Sequence, residues 1–123
     1  MKEVLVALAG NPNVGKSTLF NVLTGETAHV ANWPGVTVAL KEGEVEHHGR
    51  TLRIVDLPGT YSLAADAEEE AEAIARGFVV KHKPDVLVVL ADATAMQRTL
   101  YLVVMALELT PRVVVVANMM DIA

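Results

Sequence analysis

A chain of 123 residues buries about two-thirds of its unfolded surface on folding, enough for one core without disulfide or metal staples. Hydrophobic residues at 52% and charged residues at 20% exclude a disordered tail and a coiled coil. Fifteen acidic against ten basic side chains give a net charge of -5, the wrong sign for a general nucleic-acid-binding surface. The absence of cysteine removes a disulfide scaffold, a zinc–thiolate site and a thiol nucleophile.

The order of elements predicts an α/β domain over residues 1–123 with a mostly parallel sheet covered on both faces. A first strand is expected over residues 3–9, followed by a Gly/Asn/Pro loop at 10–15. A helix from Lys16 to Leu23 then stops at Thr24-Gly25. Residues 26–36 lack periodicity and read as a loop. Val36 to Glu46 and Thr51 to Asp56 read as two strands joined by the polar turn His47-His48-Gly49-Arg50, so the first of them is antiparallel to its neighbour. A helix over 66–81 is acidic at its start and basic at its end, as the helix dipole prefers. A buried strand over 85–91, an apolar helix over 94–109 and a last strand over 112–117 complete the pattern. Its edge is expected to be open to self-association.

Gly10-Asn11-Pro12-Asn13-Val14-Gly15-Lys16-Ser17 fits G-x-x-x-x-G-K-[ST] between a strand and a helix, the context that the motif requires. Glycines let backbone N–H groups close on a phosphate, and the helix N-terminus adds partial positive charge. Lys16 would reach the β/γ-phosphates and the Ser17 hydroxyl would ligate Mg2+. With Thr18, these residues form the expected phosphate-binding set.

Three further features follow in order. Asp56-Leu57-Pro58-Gly59 is a D-x-x-G at a strand end. Asp56 would hold the Mg2+ water shell, and Gly59 would offer its N–H to the γ-phosphate. Thr37, in the loop before it, is the candidate second Mg2+ ligand. Asn118-Met119-Met120-Asp121 is an N-x-x-D after the last Val-rich strand. The Asp121 carboxylate can accept from guanine N1–H and the exocyclic amine, a donor pair that adenine lacks. Alone, D-x-x-G is also an ordinary turn and N-x-x-D also a helix-capping pattern. Their order on alternating strands and helices favours the nucleotide reading.

Together these stretches resemble a P-loop GTPase, and more closely the G domain of the ferrous iron transport protein B family. The closer match is carried by the phosphate loop, Asn32-Trp33-Pro34-Gly35-Val36-Thr37-Val38, Asp56-Leu57-Pro58-Gly59-Thr60-Tyr61-Ser62-Leu63 and Asn118-Met119-Met120-Asp121. Met119 stands where most GTPases have Lys, as is typical of this family. The resemblance implies a Ras-like three-layer sandwich with one antiparallel edge strand, cut short before its last strand and helix. It also implies slow GTP hydrolysis to GDP on the cytoplasmic face of a membrane transport domain that handles Fe(II). Switch loops would lie at about 26–40 and 57–66, and catalysis would use Lys16, Asn13, Thr37 and Gly59. Thr60 replaces the water-orienting Gln of many GTPases. The related potassium-activated class instead binds K+ through a phosphate-loop Asn, which Asn13 matches.

A nucleotide-sensing module with negligible turnover remains compatible with Thr60. An Era-like GTPase acting on ribosome or tRNA is disfavoured by the acidic charge, Met119 and the Asn-Trp-Pro-Gly-Val-Thr loop. An ATPase leaves Asp121 without a role. His47 and His48 are expected on opposite faces of a solvated turn, and His29 and His82 as isolated surface side chains. Trp33 either anchors its loop or moves with nucleotide state. Leu100, Val103, Val104 and Leu107 are expected to form the core face of their helix.

Overall fold

Residues 3–10, 15–59, 70–92, 96–110 and 112–118 are described by the computed structural model. Among them six strands form one sheet: β1 (Glu3–Gly10), β2 (His29–Ala31), β3 (Leu40–His47), β4 (Arg50–Asp56), β5 (Val86–Asp92) and β6 (Val113–Asn118). Three helices connect them: α1 (Lys16–Thr24), α2 (Glu70–His82) and α3 (Met96–Leu109). The spatial order is β2-β3-β4-β1-β5-β6. β1 runs parallel to both β4 and β5, and β5 runs parallel to β6. The antiparallel edge is present: β3 opposes β4, and the short β2 opposes β3 outside it.

The chain leaves β1 toward one side of the sheet and later returns to the other. Right-handed crossovers then put the helices on opposite faces. Phe20 of α1 packs with Leu8 and Ile54, flanked by Val6, Leu52 and Val88. Phe78 and Val79 of α2 and Leu102 and Ala106 of α3 pack on the other face with Ala7, Val55, Leu87 and Val89. Phe20 and Phe78 are fully buried, each worth about 1.5–3 kcal/mol relative to exposure.

Three departures from the expected pattern have physical causes. The strand expected from Val36 begins only at Leu40, because Val36 and Val38 pack as loop residues against the core beside α2. β2 lies inside the expected loop. Its residues His29 and Val30 are exposed, so no burial pattern marks it. The core face of α3 is the larger correction. Leu100, Val104 and Leu107 are 56%, 55% and 53% exposed, whereas Leu102 and Ala106 are fully buried. Of the four expected core residues, Val103 packs against the core. A helix apolar on most of its circumference carries no periodicity that selects a face.

The hairpin turn places His48 and Gly49 at φ 51° and 76°, the left-handed backbone that matches the twist of paired strands. The expected alternation of His47 and His48 fails there. Their rings meet edge-on with centroids 4.0 Å apart, because His48 is a turn residue. Gly43 serves packing: a Cβ at that position would lie 2.5 Å from Thr24 Cβ. Its absence lets the end of α1 sit directly on β3. There Thr27 Oγ1 donates to the Thr24 carbonyl at 2.6 Å and accepts from the Glu44 N–H at 2.9 Å. Among the described residues no helix is long and apolar enough to cross a membrane.

Candidate nucleotide site

Parallel strands end on one edge of the sheet, so Gly10, Asp56 and Asn118 finish β1, β4 and β6 on the same side. Open α/β sheets bind ligands at that edge, where the strand order reverses; here the reversal is at β1. Asn118 lies two strand spacings from β1, about 10 Å, a separation that a mononucleotide spans from base to phosphates.

Gly15 immediately precedes α1, and its φ of 87° and ψ of 14° are left-handed. A side chain would be strained there, which accounts for glycine at this motif position. Gly15 has no side chain to cap the helix, so the first turn presents its amides toward the sheet edge. The Leu19 N–H donates back to the Gly15 carbonyl at 3.0 Å.

The Lys16 side chain follows directly and pairs with the Asp56 carboxylate through Nζ and Oδ1. Both side chains are 10% exposed. β4 is held in register for this contact, with Asp56 opposite Leu8, while the Leu57 N–H donates to the Leu8 carbonyl at 3.0 Å. The two candidate residues most separated in role, one for phosphate and one for Mg2+, therefore meet at one point. Ser17 is exposed beside them. The donor set of a Ser hydroxyl and an Asp carboxylate is oxygen-only and suits Mg2+.

Thr37 is placed elsewhere. It lines a cavity of about 180 Å³ with Gly35, Val36, Glu70, Ala73, Ile74, Gly77 and Phe78. It makes no hydrogen bond to Lys16, Ser17 or Asp56, all of them described residues. Gly10 and Gly59 lie at the ends of described segments, and Thr18 is exposed on the first turn of α1. Asn11, Asn13, Val14, Met119 and Asp121 lie outside the described residues, as does the side chain of Asn118. Among the described residues no group of three His, Cys, Asp or Glu side chains converges to hold a metal ion.

The sequence leaves Trp33 between an anchor and a mobile residue and gives no sign of the partners that hold the loop before β3. Trp33 is an anchor: its Nε1 donates to Glu42 Oε1 at 2.9 Å, and its ring meets Phe78 edge-on at 4.9 Å. The buried Glu42 carboxylate also lies 3.3 Å from His29 Nε2 and 3.3 Å from Arg53 Nε. The Arg53 approach is an ion-pair contact without hydrogen-bond alignment. His82, expected to be isolated, is half-buried against Trp33 and shares a hydrogen bond with the Pro34 carbonyl. A Trp and a His 49 residues apart carry no spacing signal, so only the fold could unite them.

The family model described as "Ferrous iron transport protein B" matches residues 4–123. The Fe(2+) transporter FeoB of Methanocaldococcus jannaschii is 53% identical over 109 residues, covering 89% of this chain and 16% of that protein. The crystal structure of the G domain of the T. maritima FeoB iron transporter superposes with a TM-score of 0.83 at 46% identity. It covers 94% of this chain and 72% of that one. The cytosolic domain of the same transporter is known in GDP and GMPPNP forms, with TM-scores of 0.82 and 0.80 at 46% and 47% identity. These cover 93% and 91% of this chain, and 44% of each of those. The chain thus spans about a sixth of the length of the curated relatives that it matches. It belongs to the ferrous iron transport protein B family, over the stretch that corresponds to the G domain.

Proposed function

We propose that this chain binds guanine nucleotide with Mg2+ and hydrolyses GTP to GDP and phosphate, regulating Fe(II) uptake by a membrane domain of the whole protein on the cytoplasmic side. The observation that carries this reading is the meeting of Lys16 with Asp56 beside the left-handed Gly15 turn. A lysine freed from a carboxylate and a row of helix-start amides form an anion cradle, and the carboxylate is left to face a cation. The GDP and GMPPNP forms of the T. maritima relative support the same ligand class here.

Lys16 and the amides after Gly15 stabilise charge on the β/γ-phosphates. Gly59 donates its N–H to the γ-phosphate, and Thr37 joins when its loop leaves α2. Mg2+, held by Ser17 and Asp56 with Thr37, would supply charge neutralisation between the phosphates. Asn13 would hold K+ beside them, where another GTPase uses an arginine. Asp121 reads the guanine edge, with Asn118 and Met119 shaping that end of the pocket.

Titration of the chain with GDP and with ADP, each with Mg2+, tests the reading. GDP is expected to bind at least tenfold more tightly, the discrimination that an unpaired carboxylate imposes. Equal or absent binding of the two by folded protein overturns it.

A further inference from the structure

We propose that His82 is a positioning residue for Thr37: from the last turn of α2 it latches the loop that carries Thr37 and opposes its transfer to the nucleotide. This rests on the guanine-nucleotide reading and adds to it a control over which nucleotide is preferred.

The loop is fastened to α2 at a defined point. His82 Nε2 lies 2.8 Å from the Pro34 carbonyl oxygen, which can only accept, so this ring nitrogen donates. The His82 ring sits 5.0 Å from the Trp33 ring and 5.0 Å from that of Phe78, and Trp33 contacts Phe78 directly. Three aromatic rings thus close on one another at the end of α2. The Trp33 carbonyl in turn accepts from the Val36 N–H at 3.0 Å, a tight turn with Gly35 at φ 79°. Turn and latch together carry Gly35, Val36 and Thr37 along α2, over Ala73, Ile74 and Gly77.

This arrangement is an alternative to engagement of the nucleotide. With the latch closed, Thr37 faces the cavity on α2 and no hydrogen bond joins it to Ser17 or Asp56. A triphosphate that requires Thr37 must draw the loop from α2 and therefore competes with the latch. A diphosphate that does not require it leaves the latch closed. By linkage, the strength of the latch subtracts from triphosphate affinity and spares diphosphate affinity.

The experiment compares Mg2+–GMPPNP with Mg2+–GDP by calorimetry in the wild-type chain, His82→Ala, His82→Gln and Trp33→Phe. Loss of one hydrogen bond and its ring contacts predicts a rise of about threefold to tenfold in the preference for GMPPNP in His82→Ala. His82→Gln, which keeps a donor at the same reach, restores most of the wild-type ratio. Trp33→Phe keeps the ring but loses the Glu42 bond, so it shifts the ratio in the same direction as His82→Ala. It serves as the reporter if His82→Ala does not fold. An unchanged or lowered ratio in both loosened variants, with wild-type binding of GDP intact, overturns the latch alone. A wild-type chain that binds neither nucleotide overturns the guanine-nucleotide reading and the latch with it.

Discussion

The Lys16 ammonium rests on the Asp56 carboxylate, joining the first turn of α1 to the end of β4 across 40 residues of sequence. With both side chains nearly enclosed, removing one leaves the other poorly solvated, so each single change costs more than half of the pair. A double-mutant cycle on Lys16→Met and Asp56→Asn, read by urea unfolding without nucleotide, is expected to give a coupling of about 1–3 kcal/mol. A coupling near zero would mean that the pair adds nothing to the ligand-free fold.

Potassium dependence distinguishes an enzyme from a sensor. Single-turnover GTP hydrolysis is expected to run at least tenfold faster in K+ than in Na+, and Asn13→Ala should abolish that difference while leaving GDP binding within a few-fold, since charge at the transition state is what a cation there supplies. Turnover in neither salt would favour a nucleotide-sensing module.

Base selection should follow Asp121. Replacing Asp121 with Asn exchanges one of two acceptor oxygens for a donating NH2, so guanine keeps at most one hydrogen bond and its exocyclic amine meets a donor, whereas the xanthine 2-oxo group gains a match. The ratio of GDP to XDP affinity is expected to fall by at least about a hundredfold. An unaltered ratio in a competition assay would move the base to another part of the chain.

Gly43→Ala probes the seat of α1 on β3. Its new methyl would meet Thr24 Cβ at 2.5 Å and Thr24 Cγ2 at 2.6 Å, and neither can swing clear while Thr24 Oγ1 donates to the Phe20 carbonyl at 2.8 Å. Overpacking of this kind costs about 1–3 kcal/mol. A lowered urea midpoint is the expected reading; an unmoved one would show that α1 yields.

Much of this architecture is legible in the amino-acid sequence. The phosphate-loop motif is readable because its glycines, lysine and serine each answer a local demand, and the left-handed backbone found at Gly15 is one that a residue without a Cβ adopts freely. The β3–β4 hairpin followed from a polar four-residue turn between strand-like runs. What escaped depended on tertiary packing. Leu102 and Leu100 are equally apolar, yet only Leu102 is buried, and nothing local distinguishes them. His82 carries no sequence sign of attachment because its partners Trp33 and Pro34 come from the far side of β3 and β4 in the chain. Thr37 is singled out by its place in the order of motifs, an argument that suggests a role but not its position beside α2.

β1 is clasped on both flanks, by β4 and by β5, whereas β2 is three residues long at the sheet margin. On the nucleotide reading, the proposed phosphate loop hangs from an interior strand, and the segment bearing Thr37 follows a short strand at the sheet edge. If that reading holds, exchange of ligand is expected to displace the sheet margin more than its interior.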